Sequence, residues 1–274
     1  MSDTNQPTDS PVIIVTGASS GIGAATARRF AQEGYRVVLA ARRYERLKTL
    51  QEEIASHGGI ALPVVTDITK LDEIQNLVQQ TMEAFGQIDL LFNNAGFGRM
   101  DWLEDLDPVN DIDLQLHTNL LGLIQMTQAV LPHMIERRQG HIINMSSMAG
   151  LVATPTYTIY AASKFGVCGF SEALRREVGV YGISVSVIYP GGVATEFSKK
   201  ARIRRRTGTT TPPWLRLSAE DVADAVLSLA RRPRRSLITP WSMRIIVWAN
   251  AWFPGVLDWA MERWFVVKEK GMRG

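Results

Sequence analysis

Tyr160 and Lys164 stand four residues apart in the run Tyr160-Ala161-Ala162-Ser163-Lys164, a spacing that sets a phenol and an ammonium on one face of a helix. A free phenol, with a pKa of about 10, exchanges its proton poorly at neutral pH. An ammonium beside it, together with the positive charge of an oxidised cofactor, could correct this in a dry cleft, where lowering the phenol by roughly three pH units corresponds to about 4 kcal/mol of preference for phenolate. Ser147, thirteen residues upstream of Tyr160 and just past an apolar run, offers a hydroxyl to hold a substrate oxygen and steady an alkoxide-like charge. The three read as apparatus for passing a proton to or from a carbonyl oxygen. A Tyr-x-x-x-Lys pair alone is as readily a surface contact; the serine at a strand end is what gives it chemical weight. Cys168, one helical turn beyond Lys164, reads as a packed apolar residue rather than a nucleophile, and His117 and His141 read as structural.

A second group of residues reads as a seat for a dinucleotide. Thr16-Gly17-Ala18-Ser19-Ser20-Gly21-Ile22-Gly23 follows the first apolar run and opens a helical stretch. Its glycines let the backbone approach a pyrophosphate, and the helix start offers unpaired N–H groups and partial positive charge. The second apolar run ends Ala40-Ala41-Arg42-Arg43, where such a fold places the adenosine ribose. An acid there would bind both ribose hydroxyls, whereas guanidinium groups pair with a 2′-phosphate, so NADP is expected in preference to NAD. The competing reading makes Arg42 and Arg43 a solvated helix start. Asp67, after the third run, could bond the adenine amino group or cap the next helix. Asn93-Asn94-Ala95-Gly96, Asn119 and Ser146-Ser147 complete a polar cluster at run ends.

These positions need a scaffold that brings run ends together, and the chain supplies one. From Val12 short β-branched runs alternate with stretches of helical period: VIIVT, a helix over 22–33, RVVLA, a helix over 44–56, ALPVV, a helix over 71–85, IDLLFN, a long helical stretch, HIINM, another helix and ISVSVIY. Runs this apolar are covered on both faces, which predicts an α/β fold with a doubly wound parallel sheet. Gly34, Gly58-Gly59, Gly86, Gly140 and Gly182 stand where left-handed helix caps are expected. After residue 198 come a basic stretch (199–206), a Thr/Pro-rich loop (207–213), a helix over 218–231, a strand SLIT (236–239) and a Trp-rich tail. The division expected is a disordered tail over 1–11, a dinucleotide-binding and catalytic domain over 12–240, and an apolar extension over 241–274.

At these residues the sequence resembles the short-chain dehydrogenase/reductase family: TGASSGIG (16–23), NNAG (93–96), Asn119, Ser147, YAASK (160–164) and PGGVAT (190–195) match, over about 12–240. The resemblance implies a Rossmann-like sheet of about seven parallel strands, a nicotinamide cofactor and a Ser-Tyr-Lys-Asn site. Carried over by position, Asn119, Ser147, Tyr160 and Lys164 are catalytic. Gly17, Ser19, Ser20, Gly21, Ile22, Gly23, Arg42, Arg43, Asp67, Asn94, Pro190, Gly191, Val193 and Thr195 line the cofactor together with Tyr160 and Lys164. It further implies that Lys164 bonds the nicotinamide ribose and that Asn119 holds a water in a proton relay. The stretch after Phe197 and the tail beyond Trp241 depart from the family pattern.

The 274 residues, 46% hydrophobic and 21% charged, suffice for one large core. A single cysteine excludes a disulfide scaffold, His57, His117, His133 and His141 show no metal-ligand spacing, and a reducing, cytoplasmic setting is expected. Charge is uneven: residues 1–198 carry 14 Lys+Arg against 21 Asp+Glu, and the remainder 16 against 6. The six basic residues in 199–206 read as a solvated lid or as attraction for an anionic substrate or lipid surface. Nucleic acid is not expected, since no aromatic residues interleave with that charge. Five of the seven tryptophans lie in the last 34 residues, in a segment broken at Pro254-Gly255 and too short to span a bilayer. It reads as a subunit interface of a homodimer or homotetramer, a pocket wall for an apolar substrate, or a peripheral contact with an anionic membrane to which Arg231, Arg232, Arg234 and Arg235 add charge. The function expected is NADP-dependent interconversion of a ketone and a secondary alcohol on an apolar, lipid or steroid-like substrate. A 3-oxoacyl-thioester reductase is the alternative. A non-catalytic NADP sensor is the alternative of another class, against which the complete proton-transfer set argues.

Overall fold

The computed structural model describes residues 10–197, 201 and 216–271. Seven strands, all parallel, form one sheet in the order β3-β2-β1-β4-β5-β6-β7: β1 Val12–Thr16, β2 Arg36–Ala41, β3 Ile60–Val65, β4 Leu90–Asn93, β5 Gly140–Met145, β6 Ile183–Pro190 and β7 Ser236–Thr239. Helices α1 (Gly21–Gln32), α2 (Tyr44–Ser56) and α6 (Ala219–Arg231) cover one face. Helices α3 (Leu71–Phe85), α4 (Gly122–Arg137) and α5 (Thr158–Val178) cover the other. The strand pattern explains the two layers. Ile13 and Val15 of β1 pack with Phe30 and Leu47, while Val12 and Ile14 pack with Leu77 and Met126, so a run of five apolar or small residues feeds two cores at period two. The strand order reverses between β1 and β4, and a cleft for ligand opens outside the carboxyl ends at such a point.

Several local expectations are corrected. Gly34, Gly58, Gly86 and Gly182 take positive φ, whereas Gly140 does not; Arg138 supplies the left-handed cap of α4 at φ 50°. Gly140 is needed for another reason, since a Cβ there would strike the Met134 side chain. The long helical stretch before β5 is not one α-helix. It runs as a π-helical turn Pro108–Asp113, an α turn Leu114–Leu116, a second π-helical turn His117–Leu121, and then α4. Asp67 does not cap α3, whose N-cap is Lys70; its Oδ1 instead accepts from Thr69 N and Thr69 Oγ1 at 3.0 and 2.8 Å. Of the expected N-terminal tail, residues 1–9 lie outside the described residues, while Arg36 donates to the Ser10 carbonyl at 2.6 and 2.9 Å. The basic stretch 199–206 lies outside them too, apart from Ala201.

After β7 the chain forms two further helices, α7 (Arg244–Trp252) and α8 (Pro254–Met261), neither with a buried residue. This arm begins where Met243 packs on Gly191 and ends where Lys270 pairs with Glu104 at 2.8 Å and lies 4.5 Å above the Trp102 ring. Both anchors belong to loops that leave carboxyl ends of strands. Arg231, Arg232, Arg234 and Arg235 precede β7, so about 13 Å of strand separates them from the arm, and Arg231 is held by Glu33 of α1. Among the described residues no helix is long and apolar enough to cross a membrane, and no group of His, Cys, Asp and Glu could hold a metal.

Candidate active site

The glycine turn is built by close packing. Gly17 and Gly21 have φ of 69° and 55°. A Cβ on Gly17 would sit 2.9 Å from the Ala95 Cα, and one on Gly23 would run into the Gly17 carbonyl oxygen. Thr16 Oγ1 accepts from Asn94 N and Ala95 N at 2.9 and 3.0 Å, and Asn94 Nδ2 donates to the Thr16 carbonyl at 2.8 Å, which ties the loop after β4 to the loop after β1. Ser20 is the N-cap of α1 and gives its hydroxyl no cap bond, so the helix start keeps unpaired N–H groups for an anion. Arg43 reaches over this turn: its Nε and Nη2 donate to Ser19 Oγ at 3.1 and 2.8 Å, and Nη2 to Ser20 Oγ at 2.8 Å. Arg42 is more open, with its Nη1 3.7 Å from Asp67 Oδ2. Burial is the largest single effect on the Asp67 carboxyl and raises it, but the bonds from Thr69 and the charges of Arg42 and Lys70 together outweigh it and hold the carboxyl below its usual range. On the far side Gly191 N donates to Thr239 O at 2.8 Å, Val193 bridges to Leu217, and the Thr195 side chain closes over Gly21. The helix start and the glycine cradle suit the pyrophosphate of a dinucleotide, and the two arginines stand where its adenosine ribose would lie.

The proton-transfer residues lie across the cleft. Ser147, two residues past β5, is the N-cap of a short turn, its Oγ accepting from Ala149 N at 3.2 Å. Tyr160 and Lys164, on α5, are both buried, and Lys164 Nζ lies 5.7 Å from the Tyr160 ring centroid. The ammonium donates to the Met145 carbonyl at 2.9 Å, which fixes it to the end of β5. Burial drives both groups toward neutrality. The Tyr160 phenol is pushed up to about 12, with a bond to Ser147 pulling the other way, and Lys164 is pushed down to about 8. The lowering expected of the ammonium together with the charge of an oxidised nicotinamide belongs to the loaded site; in the chain by itself burial sets the direction. Desolvation outweighs an ammonium whose own charge is weakened by the same burial.

Asn119 sits in the second π-helical turn, with its side chain bonded to Phe97 and Ser163. Oδ1 accepts from Phe97 N at 2.9 Å, and Nδ2 donates to Phe97 O at 2.8 Å and to Ser163 Oγ at 3.3 Å. Ser163 in turn donates to the Tyr160 carbonyl at 2.7 Å. The side chain thus pins the loop after β4 to α5. Cys168 donates to the Lys164 and Gly150 carbonyls, and His141 Nε2 meets Ser186 Oγ at 2.8 Å inside the sheet. Sequence reasoning missed the wall over the site: Met100, Ala149 and Ala201 form a small apolar cluster around Tyr160, with Tyr157 and Phe197 packed on it. The Tyr157 and Phe197 rings lie 6.1 and 5.8 Å from the Tyr160 ring. Nothing in residue type or spacing marks these residues, because loops after three different strands contribute them.

Comparison with known proteins agrees with this geometry. The family model described as short chain dehydrogenase matches residues 11–206, and the chain belongs to that family of oxidoreductases. It is similar to the 3-oxoacyl-(acyl-carrier-protein) reductase of Thermotoga maritima, 37% identical over 221 residues, covering 80% of this chain and 89% of that protein. Among solved structures it is similar to a short chain dehydrogenase/reductase from Burkholderia phymatum in complex with NAD, with TM-score 0.81, 27% identity and coverage of 92% and 96% of the two chains. A variant of the actinorhodin polyketide ketoreductase with NADPH gives TM-score 0.76 at 32% identity, covering 85% of this chain and 96% of that one.

Proposed function

We propose that this oxidoreductase uses NADP and interconverts a ketone and a secondary alcohol on an apolar, lipid or steroid-like molecule. The buried Tyr160–Lys164 pair under the apolar wall of Met100, Tyr157 and Phe197 carries the reading. A phosphorylated nicotinamide cofactor would be held by the Gly17–Gly23 turn, by Arg42 and Arg43, and by the segment from Pro190 to Thr195. When bound it supplies or accepts the hydride. Ser147 orients the substrate oxygen, Tyr160 delivers its proton to that oxygen during reduction, and Lys164 holds positive charge beside the oxygen that loses it. Reduction is the direction read for a cell that supplies NADPH. Asn119 serves by holding the loop after β4 and, through Ser163, the register of α5.

A 3-oxoacyl thioester is the second reading of the substrate, favoured by the likeness to the Thermotoga reductase. Following NADPH absorbance with bulky apolar ketones and with 3-oxoacyl thioesters distinguishes the two, and no turnover of either class refutes both. Trp241, Trp248, Trp252, Trp259 and Trp264 of the arm are each at least 57% exposed, more apolar surface than a monomer usually leaves in water. We read the arm as a surface covered in the assembled, cytoplasmic enzyme, by a second subunit in a homodimer or homotetramer or by an anionic membrane. Flotation with anionic vesicles and mass in solution separate these, and a truncation after Pro240 that left the oligomeric state, the substrate range and vesicle binding all unchanged would refute both.

A further inference from the structure

Glu196 directly follows the residues read as the cofactor's far wall, and its carboxylate faces back across the cleft. Oε1 accepts from Arg46 Nη1 at 2.8 Å, and Oε2 lies 3.5 Å from Arg43 Nη1. The remaining Arg43 donors are on Ser19 and Ser20. One carboxylate therefore bridges two arginines of the α2 start, on the spot where the glycine turn and the end of β2 meet. The contact to Arg43 is the longer of the two, and these side chains are 38–47% exposed, so the bridge rearranges at little cost.

We infer, on the NADP reading above, that Glu196 is a stand-in for the 2′-phosphate: Arg43 exchanges it for the phosphate when NADP binds, and Arg46 retains it. The phosphate is the stronger partner because it brings more charge and more acceptor oxygens to a guanidinium already aligned by two serine hydroxyls. NAD has no phosphate there and leaves Glu196 bridging both arginines. The exchange reaches the chemistry in one residue. Phe197, next to Glu196, has its ring 5.8 Å from that of Tyr160, and its carbonyl accepts from Ala201 N at 2.9 Å. A shift of Glu196 from two arginines to one moves the backbone that holds this wall. Glu196 is thus a positioning residue that makes the substrate side of Tyr160 respond to whether the cofactor carries a 2′-phosphate.

The test uses the full chain, the variant Glu196→Gln, and two probes without a nicotinamide, 2′,5′-ADP and 5′-AMP. By titration calorimetry, the variant binds 2′,5′-ADP about fivefold more tightly than wild type, the size of one exposed ion pair, and binds 5′-AMP within about twofold. In wild type, 2′,5′-ADP changes amide hydrogen exchange across 191–197 and 5′-AMP does not; in Glu196→Gln the change is absent. Wild type that prefers 2′,5′-ADP but whose affinity and exchange are untouched by Glu196→Gln overturns the exchange alone. Wild type that binds the two probes equally overturns the NADP reading and the exchange with it.

Discussion

Replacing Lys164 by methionine should abolish turnover and yet stabilise the cofactor-free protein at pH 7. The ammonium is buried, and its fall from 10.5 to about 8 corresponds to about 3 kcal/mol by which the fold disfavours the charged form. The sign follows from proton binding. Below pH 8 the lysine is charged in both states and the whole penalty is present; between pH 8 and 10.5 the unfolded chain binds more protons than the folded one, so stability rises with pH. Methionine fills much the same volume without charge and gives up the bond to the Met145 carbonyl, worth about 1–2 kcal/mol, so a net gain of about 1–2 kcal/mol is expected at pH 7. Urea unfolding of both proteins at pH 7 and pH 10 reads this directly, because other titrating groups cancel in the difference. The advantage of Lys164→Met should shrink by about 2 kcal/mol at the higher pH. A variant less stable than wild type at pH 7, or a difference independent of pH, would show that the ammonium is not held at a desolvation cost.

Tyr160→Phe should lower kcat by about 10²- to 10⁴-fold, the usual contribution of a positioned proton donor, with NADPH affinity by calorimetry within about twofold of wild type. Arg42→Asp should move the ratio of kcat/KM for NADPH over NADH toward NADH by about 30- to 1000-fold, and a wild type that already prefers NADH would refute the role given to the arginines. Gly23→Ala places a methyl against the Gly17 carbonyl and the Asn94 side chain, so a loss of about 1–3 kcal/mol in denaturant unfolding and loss of cofactor binding are expected together. Unchanged NADPH affinity in that variant would mean that the turn does not approach the cofactor closely.

Strands, helices and their parallel order were legible in the sequence, because a strand covered on both faces must be apolar at every position and a helix between strands must repeat near 3.6 residues. VIIVT and RVVLA come close to the first condition, with polar residues only at their ends, Thr16 and Arg36, and 44–56 and 71–85 begin and end at the residues expected. The candidate site was legible as a set of residue types for a related reason: proton transfer and anion binding need particular side chains, and Ser147 and the glycine turn after strands, with Tyr160 and Lys164 one turn apart on a helix, are of those types. Tertiary structure decided what depends on contacts between distant residues. Burial, which no residue type reports, raised the Tyr160 phenol and weakened the Lys164 ammonium. The π-helical turns placed Asn119 on Phe97 and Ser163, because a helix's hydrogen-bond register is set by what it packs against rather than by its own period. Glu196 met Arg43 and Arg46 across about 150 residues of chain, and the parallel direction of β7 started the Trp-rich arm at the carboxyl ends of the strands. Local pattern constrains which face of an element is apolar. Which partners it meets, and how much water they exclude, follows only from the closed fold.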